Sequence, residues 1–258
     1  MIGILYFFVI IFANSIGAVS GMGGGVIIKP VLDLIGAHSV SAISFYSSVA
    51  VFTMSISSTL KQRKSGQSFE WITIFWISVG AILGGVLGNF TFERLLDAFG
   101  NEDQVTKIQI LLTILTLVFT FLYSKYDWRS YAFKSPSIYF GCGLVLGFLA
   151  SLLGIGGGPI NVSVLMFLFG FPIKKATSYS ICTIFFSQLA KLITIACGSG
   201  FLQYDLSMLF YILPAAILGG IFGAKLSIFL PSKQVVLVFQ MVLLLVLAIN
   251  LFNFIQLI

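Results

Sequence analysis

Charge is scarce in this chain. Only 9% of its 258 residues are Asp, Glu, Lys or Arg, against the roughly one quarter that clothes a water-soluble domain. The eight acids, single histidine (His38) and three cysteines narrow the chemistry further. No Gly-x-Ser-x-Gly elbow and no HExxH occurs, so a nucleophile with its base or a zinc site has no support, and the chain is expected to be no enzyme and to carry no cofactor or metal. Cys142, Cys182 and Cys197 sit in apolar runs without CxxC spacing and are expected to pack, not to ligate or cross-link.

What is present in excess is apolar: 59% of residues are hydrophobic and the mean hydropathy is +1.09. Lipid is therefore the expected solvent, and an all-α polytopic membrane protein the expected fold class. The net charge of +6 comes from Lys and Arg placed in short links between apolar runs, not in a stripe, which excludes nucleic acid as a partner. Ala18-Val19-Ser20 resembles a signal-peptidase site, but no basic residues precede the run and the segment has a later counterpart, so it is expected to be a retained first helix.

Apolar runs fall at about 2–20, 39–60, 70–92, 105–124, 136–153, 176–197, 206–229 and 234–258. Two more, 26–35 and 159–169, reach only about 16 Å at 1.5 Å per residue, half the hydrocarbon thickness, and are expected to be short or broken helices. Eight full spans and two short ones result.

The chain also repeats itself. Gly21-Met22-Gly23-Gly24-Gly25-Val26-Ile27 matches Gly154-Ile155-Gly156-Gly157-Gly158-Pro159-Ile160 at an offset of 133. Ala42-Ile43-Ser44-Phe45 then matches Ala176-Thr177-Ser178-Tyr179, Phe69-Glu70 matches Tyr204-Asp205, and Ala81 to Gly88 matches Ala216 to Gly223. The expected organisation is a first repeat over 1–124, a cytoplasmic linker over 125–135 and a second repeat over 136–258. Ten of the fourteen basic residues cluster at 61–64, 125–134, 174–175 and 225–233, whereas 93–104 is a mostly acidic loop. All four clusters share the cytoplasm only if each short run also crosses, giving five crossings per half, an inverted repeat and both termini outside. Short runs that re-enter and return would instead give parallel halves.

Glycine triplets at the head of a truncated helix suit a broken backbone that lines a polar cavity. There an unwound turn offers bare N–H groups beside the positive end of a helix, a cradle for an anion. The expected substrate-binding residues are therefore Ser20, Gly21, Met22, Gly23, Gly24 and Gly25 in the first turn, and Gly154, Gly156, Gly157, Gly158 and Asn161 in the second. Ser44, Ser47, Ser178, Ser180 and Gln188 are expected to form a polar path, with Lys191, a charge deep in an apolar run, as the attracting cation or a side chain that snorkels outward. Each hydroxyl also has the blander option of bonding its own helix. Gly80, Gly84, Gly88, Gly219 and Gly223 have the spacing of close helix packing, and Lys29 and Asp33 that of an i, i+4 ion pair, the functional alternative being that Asp33 carries a proton. With acids so few, export driven by the membrane potential alone is the expected energetics.

At these same residues the chain resembles the TauE/SafE sulfite exporter family, also called the toluene sulfonate uptake permease group. The likeness rests on Gly21-Met22-Gly23-Gly24-Gly25 with Pro30 after it, Gly154-Ile155-Gly156-Gly157-Gly158-Pro159, Ala176-Thr177-Ser178 and the late Gly-Gly pairs, over nearly the whole chain. The resemblance implies a secondary carrier in the bacterial inner membrane that moves sulfite, thiosulfate or organosulfonates, commonly outward, by alternating access. An anion channel, or a carrier of another small anion or metabolite, is the alternative. The partners expected are a small anion and the lipid bilayer, and a homo-oligomer is left open.

Overall fold

The computed structural model describes residues 2–64, 70–126, 128–155 and 157–256. Among them the chain forms ten α-helices and one 3-10 turn, with no strand: α1 Ile2–Ser20, α2 Gly25–Ile35, α3 Val40–Lys64, α4 Trp71–Phe99, α5 Glu102–Lys125, α6 Pro136–Leu152, α7 Pro159–Phe169, α8 Ile173–Cys197, the turn Leu206–Met208, α9 Leu209–Phe229 and α10 Ser232–Gln256. Each of the ten apolar runs becomes a helix. Seven are long and apolar enough to cross a membrane; α6, one of the eight expected full spans, has 17 residues, and α2 and α7 have 11 each.

The acidic loop expected at 93–104 is mostly helix. α4 runs on through Glu93 and Asp97 to Phe99, where Gly100 at φ 58° caps it and Asn101 starts α5 by accepting a hydrogen bond from the Asp103 amide at 2.8 Å. A helix tolerates surface carboxylates, and only the glycine and the capping asparagine stop it. Lys174 and Lys175 likewise lie in the first turn of α8, not in a loop before it.

Polarity is distributed inside out relative to a soluble domain. Phe75, Leu87, Phe90, Phe210, Phe222, Phe229, Met241 and Phe252 are exposed, whereas Asn14, Ser44, Ser47, Asn161, Gln188 and Lys191 are buried. This is a multi-pass membrane protein whose apolar flanks face lipid.

Contacts sort the links to two ends of the bundle. At one end the Tyr6 hydroxyl meets His38 Nδ1 at 2.9 Å, the Val40 amide donates to Glu102 at 2.9 Å, and the Tyr46 hydroxyl donates to the Asp205 carbonyl at 3.0 Å. At the other the Glu70 amide donates to the Tyr179 hydroxyl at 2.7 Å, Lys175 pairs with Glu70 at 2.6 Å, and Tyr131 and Phe133 of the linker donate to the carbonyls of Phe167 and Leu168. So α3 and α8 run antiparallel.

α1 and α2 form a hairpin, since Tyr6 near the start of α1 touches His38 just after α2. α6 and α7 form another, with Tyr139 and Phe169 rings 4.8 Å apart at its open end. The hairpins enter from opposite ends. Their packing is reciprocal: α1 lies on α9, α6 on α4, α3 on both α8 and α9, α8 on α4, and α5 on α10.

Glycine makes the α4–α6 seam possible. A Cβ on Gly80, Gly84 or Gly88 would strike the carbonyls of Phe140, Leu144 or Phe148, and one on Gly143 or Gly147 those of Ile77 or Ala81. The α1–α9 seam uses Gly219 and Gly223 against Asn14, Ile11 and Ser15 in the same way. Backbones at such distances gain dispersion contacts that lipid cannot replace.

Candidate substrate site

Each hairpin tip is a glycine turn, and the two tips touch. Gly21 and Gly23 take φ of 73° and 75°, conformations that end α1 and reverse the chain, and a Cβ on Gly25 would strike the Ile155 carbonyl of the second turn, with Ser47 Oγ at 2.9 Å. In the second turn Gly154, at φ 66°, faces Ser44 and Lys29 of the first half, where an added Cβ would stand 2.7 Å from Ser44 Oγ and 3.3 Å from the Lys29 stem. A Cβ on Gly157, at φ 108°, would collide with the Ile184 side chain and stand 3.2 Å from Asn161 Nδ2. Gly156 lies outside the described residues.

The first N–H groups of α2 and α7 have no partner within their helices and point toward these turns with the positive end of the dipole. Proline at the first position of α7, Pro159, suits that start because its missing donor is one the helix would not use. Gly24 packs so closely on α1 that a Cβ would collide with the Asn14 Oδ1.

Lys191 does not snorkel. It is 1% exposed, and its ammonium donates to Ser44 Oγ at 2.7 Å and to the Ser151 carbonyl at 3.2 Å, with the Phe92 ring at 5.5 Å. Among the described residues no carboxylate pairs with it. Lys29, 3% exposed, does pair, with Asp33 at 3.0 Å, as its i, i+4 spacing predicts. The second turn is therefore flanked by two lysines and one aspartate, and Glu93, the other acid near Lys191, is engaged by Asn89 instead. A buried cation without a counterion is costly, and a bound anion relieves that cost.

Several buried polar atoms near the turns have no hydrogen-bond partner among the described residues: Asn14 Oδ1, Ser47 Oγ, Ser151 Oγ, and both the oxygen and nitrogen of Asn161; Gln188 Oε1, on α8, is another. Such atoms are few in native proteins, and a concentration of them marks a place meant for a ligand or water. A cavity of about 10 Å³, the size of a single water, lies by the Lys29–Asp33 pair and the second turn, lined by Lys29, Pro30, Asp33, Gln109, Ile155 and Asn250 among others.

Not all of the expected path residues converge. Ser20 donates to the carbonyl of Ile16, and Ser178 to that of Lys174, each in its own helix. Ser180 does reach the first turn, donating to the Gly21 carbonyl at 2.6 Å. Met22 is fully buried in the turn. Sequence reasoning missed Asn14, Ser151 and Gln109. Asn14 carried a signal, as the only amide in the charge-free run 2–20.

A polytopic α-helical protein whose two broken hairpins meet at buried turns, with Lys29 and Lys191 beside the second, has the construction of a membrane transporter. The chain belongs to the sulfite exporter TauE/SafE family, whose model matches residues 6–251. Among curated relatives it is 27% identical over 258 residues, covering 91% of this chain and 92% of the relative, to "Probable membrane transporter protein YunE" of Bacillus subtilis (strain 168). It is 21% identical over 183 residues, 69% of this chain and 67% of the relative, to "Probable membrane transporter protein MJ0441" of Methanocaldococcus jannaschii. No solved structure matches the chain.

Proposed function

We propose that this transporter carries a small sulfur oxyanion, such as sulfite, thiosulfate or an organosulfonate, outward across the plasma membrane, by alternating exposure of a site between the two glycine turns. The observation that carries the reading is Lys191, a buried cation with no carboxylate partner among the described residues, bonded to Ser44 beside Gly154. An oxyanion there would receive the ammonium, the serine hydroxyl and amides at the starts of α2 and α7, and would give Lys191 the counterion it lacks. The site residues expected from the sequence would serve in this way, with Asn161 and Ser47 offering donors from either side.

The reading includes an inverted repeat, 1–124 against 136–258, joined by the linker, with the basic segments in the cytoplasm and both ends outside. The antiparallel course of α3 and α8 and the reciprocal helix pairing support it. So does the collection of Glu70, the linker and the starts of α8 and α10 at one end, where Lys61, Lys125, Lys134, Lys174, Lys175 and Lys233 also lie. The small size of the cavity at the turns favours a carrier over an open channel.

Purified protein in liposomes, offered labelled sulfite, thiosulfate, sulfate and methanesulfonate, tests the proposal. Saturable flux of at least one sulfur oxyanion, lost in Gly24→Val and Gly157→Val, is expected. Single-channel currents in a planar bilayer would replace the carrier by a channel, and folded variants that transport normally would move the site elsewhere.

A further inference from the structure

The Lys29–Asp33 pair has the chemistry of a stabilising ion pair but the position of a substrate switch. Lys29 sits in α2 four residues from the Gly25 turn, and the carbons of its stem lie 3.3 Å from where a Gly154 Cβ would stand. Its side chain is 4% exposed, that of Asp33 11%, so the carboxylate is the member nearer solvent. Asp33 is three residues from Gly36, at the end of the bundle that holds His38. The water-sized cavity beside the pair is lined by Asp33, Gln109, Thr113 and Asn250, and Gln109 Oε1, 2% exposed on its residue, has no protein partner there.

The groups that face Asp33 can be enumerated. From its own helix comes Lys29, and from α1 the Tyr6 phenol, bonded in turn to His38 and within reach of Tyr46. From α5 come the uncharged Gln109 and Thr113, and from α10 the uncharged Asn250. Lys191 of α8 lies beyond Lys29, with Glu93 of α4 near it but bonded to Asn89. Asp33 thus has one cation in contact, and that cation lies over the anion site.

Resting on the anion reading above, we propose that a bound anion takes Lys29 from Asp33 and that Asp33 then takes up a proton, so the site loads an anion and a proton together. The balance is simple. Lys29 keeps its charge and exchanges one anionic partner for another, and a proton from water forms an O–H bond at the abandoned carboxylate. Otherwise that carboxylate would stay charged, unpaired and close to a second anion in a medium that screens poorly. The reverse order is equivalent: protonating Asp33 first frees Lys29 for the anion, and linkage requires the two effects to be equal. A proton that travelled with a monovalent anion would cancel the charge on which a membrane potential acts, in place of the potential-driven export that the shortage of acids suggested.

The test uses the full chain in detergent or nanodiscs, with thiosulfate, sulfate and methanesulfonate as probes, because these stay ionised across the working range and leave only the protein to titrate. In weakly buffered solution, binding should remove about one proton per anion from the medium, and affinity should rise about tenfold for each unit the pH falls until Asp33 is protonated in the free protein. Asp33→Asn should bind with an affinity independent of pH and no proton uptake, and Lys29→Met should lose most of the affinity. Binding by the wild type without proton uptake overturns this inference and leaves the anion site standing. Failure of all three probes to bind at any pH overturns the anion site itself, and with it the switch.

Discussion

The two glycine turns repeat each other in backbone and differ in charge. Gly21 and Gly154 share a left-handed φ, each turn heads an 11-residue helix, and each packs against a hydroxyl-bearing helix from the other half, Thr177 facing Gly21 and Ser44 facing Gly154. The charges are not duplicated. At the offset that matches Gly21 with Gly154, Lys29 falls opposite Val162 and Asp33 opposite Met166; at the offset that matches Ala42 with Ala176, Lys191 falls opposite Ser57. In the function proposed above, the repeat supplies a frame for two hairpins, and the charged groups of the site lie on one side of it. A carrier of the proposed kind could do this, because its frame needs symmetry to open toward either end whereas one anion needs only one cationic cluster.

The largest effect should come from the tightest contact between the turns. In Gly25→Val the new side chain would strike the Ile155 carbonyl, which belongs to backbone and cannot swing aside. Its counterpart Gly158 would meet only the end of the Ile155 side chain, at 3.2 Å. Transport per folded molecule should fall at least a hundredfold in Gly25→Val and less than about threefold in Gly158→Ala, read by labelled anion flux in liposomes. Equal losses would mean that the turns bear on each other symmetrically.

Lys191 sharpens the charge half of the comparison. Lys191→Met keeps the length of the stem and removes the ammonium, so flux should drop tenfold or more while thermal stability in detergent holds or rises, since an unpaired buried charge is relieved. Ser57→Ala, at the matched position, should change flux less than twofold. A stability loss in Lys191→Met with flux intact would make the lysine structural.

The frame itself was largely legible in the sequence. Apolar runs specify helices wherever lipid is the solvent, and the glycine offset of 133 announced two turns before any geometry was known. The seams were legible too. Gly84→Ala would press a methyl onto the Leu144 carbonyl and should cost about 1–3 kcal/mol, seen as a lower melting temperature without loss of flux per folded molecule. What the sequence hid depends on contacts between distant segments. The Lys29 stem over Gly154 joins residues more than a hundred positions apart, and the i, i+4 pairing with Asp33 concealed it by offering a sufficient local explanation. The acidic stretch 93–99 misled for a different reason: hydropathy marks where the apolar region stops, not where the helix does.

The smallest effect lies farthest from the turns, where the repeat produces two latches of similar plan. At one end the Tyr46 hydroxyl donates to the Asp205 carbonyl, and at the other the Tyr179 hydroxyl accepts from the Glu70 amide, so matched acids mark matched helix starts. They differ in what the carboxylates do. Asp205 is held below its usual range by the hydroxyl and amide of Ser207, a local cap, whereas Glu70 is held below its usual range chiefly by Lys175, which belongs to the other half of the chain. A carboxyl whose folded value is lowered stabilises the fold at pH above the ordinary glutamate range and loses that contribution as pH falls through the lowered value. Glu70 is largely exposed, with 59% of its side chain open to solvent, so Glu70→Gln should cost less than about 1 kcal/mol near neutral pH and nothing once the wild-type carboxyl is protonated. Melting curves of the two proteins in detergent should therefore separate slightly at pH about 7 and converge as the pH falls through the lowered carboxyl value, and a gap that persisted in acid would assign the difference to helix capping by Thr73 and the Tyr179 contact instead of to the ion pair.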